Sequence, residues 1–194
     1  MIAFVRGTFL YKSPAQVIVD VNGVGYELQI SLNTYSNISD KESGQLLTYL
    51  QITENAQTLF GFFEQREKEL FLHLISVSGV GASTARMMLS GMKPDEIIKA
   101  ILQGNAKLLE SIKGIGRKTA ERLILELKDK LGKIQGGTGT IAISQVYSVE
   151  QDALTALIAL GIAKPVAEAA LKRVNKSEEI SNLEELIKTA LKNL

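Results

Sequence analysis

Two glycines placed two apart, Gly114 and Gly116, precede the adjacent cations Arg117 and Lys118 in the stretch SIKGIGRKTAERL, residues 111–123. Glycine leaves backbone N–H groups uncovered, and the first turn of a helix leaves its N–H groups without internal partners. Fixed cations beside such a helix mouth suit the binding of an anion, phosphate above all. The pattern occurs twice. Shifted by 35 residues, SVSGVGASTARMML lies over SIKGIGRKTAERLIL, with Ser76, Gly79, Gly81, Thr84 and Ala85 matching Ser111, Gly114, Gly116, Thr119 and Ala120. Paired copies of helix, apolar-x-Gly-apolar-Gly, helix are the sequence form of a helix-hairpin-helix tandem. The candidate phosphate-binding residues are Gly79, Val80, Gly81, Ser83 and Thr84 in the first copy. In the second they are Gly114, Ile115, Gly116, Arg117, Lys118 and Thr119, with Arg122 one turn further. The first copy lacks the cations, so it is expected to bind through backbone and hydroxyl donors more than through ion pairing. Such donors read a phosphate backbone rather than base edges.

Other chemistries find little support. GIGRKT resembles the phosphate loop of an NTPase, but that loop requires Gly-Lys-Ser/Thr, and residue 117 is arginine. The chain has no cysteine and one histidine, His73, which sits in the apolar stretch ELFLHLI and reads as a core or half-buried side chain. No metal site, no cofactor and no catalytic residue is expected.

The elements around the glycines change character along the chain. Up to residue 63 the pattern alternates: Val17, Val19 and Val21, then Tyr26, Leu28 and Ile30 across Asn22-Gly23, a tight-turn pair. A second hairpin is expected where LLTYLQIT meets QTLFGFF around ENA, and about five strands here fit a small closed barrel such as an OB-fold. From residue 64 the period becomes helical, with Leu70, Phe71, Leu74 and Ile75 on one stripe. Gly91, Pro94, Gly104 and Asn105 then punctuate about five helices up to residue 133. Residues 134–148 lose periodicity and read as a flexible linker. Residues 149–194 carry three apolar stripes, a minimal three-helix bundle. The fold class is multidomain α+β. No apolar run is long enough to span a membrane and no signal peptide is evident, so a cytoplasmic location is expected.

Formal net charge is +1, unevenly spread. Residues 1–63 hold three basic and five acidic side chains, residues 64–133 thirteen and nine, and residues 134–194 six and seven. Within the middle segment, residues 111–133 hold seven basic and three acidic groups, which accounts for its whole excess. A local positive field beside the second hairpin suits a polyanion even where the global charge is near zero.

A barrel, paired hairpins, a loose tether and a small terminal bundle, in that order, resemble the RuvA family, Holliday-junction-binding subunits of bacterial branch-migration complexes. The resemblance covers nearly the whole chain. Its particular marks are NGVGYE, ENAQTLFGF, LFLHLISVSGVG, KGIGRKTAERLILELKDKL and ALIALG. It implies a homotetramer that holds a four-way junction open and flat, with no enzymatic activity of its own, acting in recombination and repair. It also implies a RuvB-type hexameric ATPase as partner and a junction resolvase as a further one. Whether one tetramer or two face-to-face tetramers clamp the DNA stays open. Glu54 and Asn55 match the family's acidic pin, with Asn55 standing where a second acid is usual, and Ser83 stands where relatives often carry lysine. Asn55 also suits a turn because asparagine tolerates left-handed backbone. Leu157, Leu160 and Ile162 match the apolar motor-binding residues, although an aromatic is common at Ile162. Leu157 and Leu160 could equally be core. The alternative reading is a general helix-hairpin-helix and OB-fold repair protein or a nuclease accessory subunit.

Overall fold

The computed structural model describes residues 1–135, 149–177 and 182–192. Five strands come first: β1 (Phe4–Ser13), β2 (Gln16–Val21), β3 (Val24–Ile30), β4 (Ser43–Ile52) and β5 (Gln57–Phe62). They close into a barrel in the order β1-β2-β3-β5-β4, antiparallel throughout except where β3 meets β5. This is the expected OB-type barrel, and closure leaves no strand edge to recruit another chain. Alternation places Val5, Phe9, Val17, Val19, Leu28, Ile30, Leu46 and Leu59 in its interior. A bulge between Phe9 and Tyr11 breaks the β1 pattern, and Leu10 faces outward there. The β2–β3 turn is built as the sequence requires: Asn22 and Gly23 take φ of 52° and 88°, and Gly23 N–H donates to Asp20 Oδ1 at 2.8 Å.

One helix is not legible in the pattern. Between β3 and β4 lies α1 (Leu32–Ile38), a polar seven-residue segment of weak helix propensity. Its ends explain it. Ser31 caps the first turn by accepting from Thr34 N–H at 3.0 Å, while Lys12 Nζ donates to the carbonyls of Ser39 at 2.8 Å and Lys41 at 2.6 Å beyond the last. A hydroxyl oxygen at the positive end and an ammonium at the negative end each complement the helix dipole.

Five more helices follow: α2 (Gln65–Ile75), α3 (Ala82–Gly91), α4 (Pro94–Leu102), α5 (Ala106–Glu110) and α6 (Arg117–Gln135). Pro94 opens α4 and Asn105 caps α5 through a bond from Leu108 N–H, as the punctuation implies. Barrel and helices form one compact unit, Met1–Gly137. Their joint is aromatic: Phe71 on α2 lies 4.9 Å from Phe62, 5.3 Å from Phe60 and 5.5 Å from Tyr49, ring centre to ring centre. Polar contacts pin the same joint. Arg86 on α3 donates to Ala15 O at 2.9 Å and Gln29 Oε1 at 2.6 Å, and Leu32 N–H donates to Ser90 Oγ at 3.1 Å. The buried carboxylate of Glu67 on α2 accepts from the Ser31 and Thr34 hydroxyls of the barrel.

Most of the expected linker, residues 136–148, lies outside the described residues, and its first two positions belong to α6. The second unit contains α7 (Val149–Ala159), α8 (Lys164–Ser177) and α9 (Leu183–Lys192) around a core rich in alanine: Ala153, Leu157, Ala167, Ala170, Leu171, Val174, Leu186 and Ala190. Small side chains make a small core, so modest stability is expected of it.

Candidate nucleic-acid interface

The two hairpins are copies in three dimensions as well as in sequence. In the first, Val77 N–H bonds to Leu74 O, Val80 N–H to Val77 O and Ala85 N–H to Gly81 O. In the second, Ile112 N–H bonds to Leu109 O, Ile115 N–H to Ile112 O and Ala120 N–H to Gly116 O. Gly79 and Gly114 sit at φ of 91° and 92°, a left-handed conformation that a side chain resists, so both turns depend on glycine. Gly81 and Gly116 occupy the cap positions of α3 and α6. Among the described residues no acceptor meets the N–H groups of Ala82, Ser83 and Thr84, or those of Arg117, Lys118 and Thr119, and no side chain caps α3. Each hairpin therefore ends in an open helix mouth.

The expected contact residues divide by burial. Gly79, Gly81, Ser83, Gly114, Gly116, Arg117 and Lys118 are exposed, and Thr84 and Thr119 are half-buried. Val80 and Ile115 differ from the rest: each is 5% exposed, and their amides are already bonded within the turn, so their side chains anchor the hairpins to the core. The apolar position between the glycines is what ties the loop down. It belongs to the core that holds the glycines out.

The cations also divide. Lys118 is exposed, while Arg117 donates to Glu121 Oε1 at 2.9 Å in an exposed pair one turn apart. That hydrogen bond, with the charges of Glu121 and Glu110, pushes the Arg117 pKa above its already high ordinary value, so it is a permanent cation. Arg122 reaches the opposite hairpin, with Glu126 Oε1 3.9 Å from its Nε. Its Nη1 donates to Ser78 O of the first hairpin at 3.1 Å, which brings positive charge to the copy that has no cation in its helix mouth. Lys113 is a further cation that the sequence reading does not single out, although it belongs to the same stretch: it is exposed at the tip of the second hairpin, where the first has Ser78.

Glu54 and Asn55 form the exposed tip of the β4–β5 hairpin, closed by Thr53 N–H to Ala56 O at 2.9 Å. Asn55 sits in the turn without left-handed backbone. The asparagine that adopts it is Asn22.

In the second unit Leu157 is fully buried and Leu160 is 63% exposed, although they are three residues apart. The helix ends between them. Gly161 turns at φ 89°, and Ile162 N–H reaches back to Leu157 O, so Leu160 swings outward and Ile162 packs half-buried on the core. Leu157 is thus a core residue.

Three family models match: the RuvA N-terminal domain over residues 1–61, a SAM-like helix-hairpin-helix tandem over residues 71–129, and the RuvA C-terminal domain over residues 148–194. The chain is 47% identical over 197 residues to the Holliday junction branch migration complex subunit RuvA of Cytophaga hutchinsonii, covering 99% of both chains. It is 44% identical over 194 residues to the protein of that name from Christiangramia forsetii, and 42% identical over 201 residues to that from Bacteroides fragilis, covering all of each.

Proposed function

The chain belongs to the RuvA family, and from that premise we propose that it binds four-way DNA junctions as the non-catalytic subunit of a branch-migration complex. The observation that carries the reading is the pair of matching helix mouths, each with exposed glycines and open N–H groups, held by buried Val80 and Ile115. Two such cradles on one compact unit suit two phosphates of a duplex arm, contacted without reference to base sequence. Lys113, Arg117, Lys118 and Arg122 add the charge. Four copies around a junction, as a homotetramer, would bring four Glu54 carboxylates near the crossover, where repulsion of the backbone phosphates favours strand separation.

Junction binding is tested by titrating a synthetic four-way junction and a linear duplex of equal length. The junction should bind much more tightly, and equal affinities would refute the reading. Replacing Arg117 and Lys118 together with alanine should leave the fold unchanged. It should lower the slope of log K against log salt by about 0.9 for every phosphate that the cations had neutralised. A slope like that of the unsubstituted protein would remove both cations from the interface.

Recruitment of a RuvB-type ATPase is assigned to the second unit, with Leu160 as its apolar anchor; Ile158 and Val166 are exposed on the same unit. Leu160→Ala should abolish junction-dependent stimulation of the ATPase with no change in thermal unfolding. Leu157→Ala should instead unfold the bundle, at a cost of about 3 kcal/mol. Equal effects of the two on unfolding would contradict the assignment. A junction resolvase is the further partner this reading allows.

A further inference from the structure

Aligning the two repeats places Met87 of α3 opposite Arg122 of α6. Each reaches the other repeat's hairpin. Arg122 Nη1 lies 3.1 Å from Ser78 O beside Gly79, and Met87 Sδ lies 3.9 Å from the point a Cβ on Gly114 would occupy. We propose that Met87 and Arg122 are a reciprocal pair of positioning residues that set the distance between the two phosphate cradles. The inference rests on the assignment of the hairpins as a duplex-binding surface and adds what fixes their spacing.

The argument is geometric. Phosphates of a duplex arm stand at fixed separations, so two cradles bind together only when their own separation matches. Within each hairpin the turn bonds are local; Val80 and Ile115 seat both hairpins on one shared core, and Met87 and Arg122 adjust the spacing above it. Across the copies, the bond from Arg122 is the one side-chain hydrogen bond among the described residues that joins a hairpin to the opposite helix. Met87, 42% exposed, is the apolar counterpart: its Sδ stands 3.9 Å from where a Cβ on Gly114, the positive-φ glycine of the second hairpin, would lie. A thioether fills such a space and tolerates small adjustments, whereas the guanidinium fixes a donor direction. Preorganised spacing spares the binding energy that would otherwise go into ordering the loops. Arg122 keeps four further N–H donors, so holding Ser78 O does not prevent its charge from favouring the same DNA.

The test uses the full chain and a synthetic four-way junction, with Met87→Ala, Arg122→Gln, Arg122→Ala and the Met87→Ala/Arg122→Ala pair. Met87 and Arg122 are both substantially exposed, so the melting temperature should be unchanged in each. Met87→Ala, which removes no charge, should weaken junction binding about fivefold, and Arg122→Ala by at least as much. Arg122→Gln retains an N–H for Ser78 O and should bind more tightly than Arg122→Ala. The double variant should lose less than the product of the single losses, because either change alone frees the spacing. The proposal is overturned if Met87→Ala binds like the unsubstituted protein while Arg122→Gln and Arg122→Ala are equally weak with the salt slope reduced alike. Arg122 would then be a plain phosphate ligand. A failure of the hairpin assignment itself shows differently, as an unsubstituted protein that does not prefer the junction.

Discussion

Replacing both Gly81 and Gly116 with aspartate should leave the protein folded and reduce junction affinity at least about 100-fold, a loss near 2.7 kcal/mol. Neither glycine is held by sterics. A Cβ at either position meets nothing within 4 Å, and neither backbone is left-handed. Gly81, at φ −84° and ψ 168°, has the extended geometry of an ordinary helix cap. Aspartate is among the best residues there, because its carboxylate accepts from the second or third N–H of the helix. Helix stability should therefore be equal or slightly greater. The same carboxylate would occupy the acceptor's place in each cradle and present like charge to an approaching phosphate. Thermal unfolding and junction titration of one sample separate the two effects. A folded variant that binds normally would show that the helix mouths are not where the backbone sits.

Glu67→Ala should have the largest effect on stability, about 3 kcal/mol, read as a fall of roughly 10 °C in the unfolding of the first unit. Glu67 is fully buried, and its two oxygens accept from the Ser31 hydroxyl and, at 2.7 Å, from that of Thr34. Those hydroxyls are committed on their other side. Ser31 Oγ accepts from Thr34 N–H, and Thr34 Oγ1 accepts from Phe63 N–H at 3.1 Å. Each has only its proton left to donate, so the network requires an acceptor at both ends, and alanine would orphan both donors. The network ties α1 of the barrel to α2, and α2 leads directly into the first hairpin. It thus helps hold the Glu54 tip and the cradles in one body.

Burial pushes the Glu67 pKa above its ordinary 4.5, opposed in part by the hydrogen bonds from Ser31, Thr34 and Asn33. The folded protein consequently binds this proton more tightly than the unfolded chain does. Stability from this group is present below 4.5 and declines as pH rises from there through the raised value. Glu67→Gln, which cannot ionise and retains one acceptor, should melt between the unsubstituted protein and Glu67→Ala and should flatten that decline. Alanine melting like the unsubstituted protein would contradict the role given to the network.

What can be read in the sequence is what depends on neighbours along the chain. The switch from alternating to helical periodicity near residue 64, the Asn22-Gly23 turn and the repeat of glycines are local, and each appears in the structure as the pattern implies. What escapes depends on contacts across the chain. Glu67 lies in QREKEL, and nothing beside it in the sequence marks it as buried, because its partner Ser31 is 36 residues away. Arg122 reads as a third cation of its own hairpin, but its bond to Ser78, 44 residues back, places it at the other. Val80 and Ile115 sit between candidate ligand-binding glycines, although their apolar character is itself the sign of an inward face. The direction of Leu160 against Leu157 is set by a helix end, which periodicity does not resolve.

Hydrogen–deuterium exchange of the full chain, with and without a synthetic four-way junction, tests most directly whether the twin helix mouths receive the DNA backbone. Amides of residues 79–84 and 114–119 should gain protection together when junction is added, both losing it again at high salt. Protection confined to the outer face of the barrel, with both glycine hairpins exchanging as in the free protein, would contradict the account.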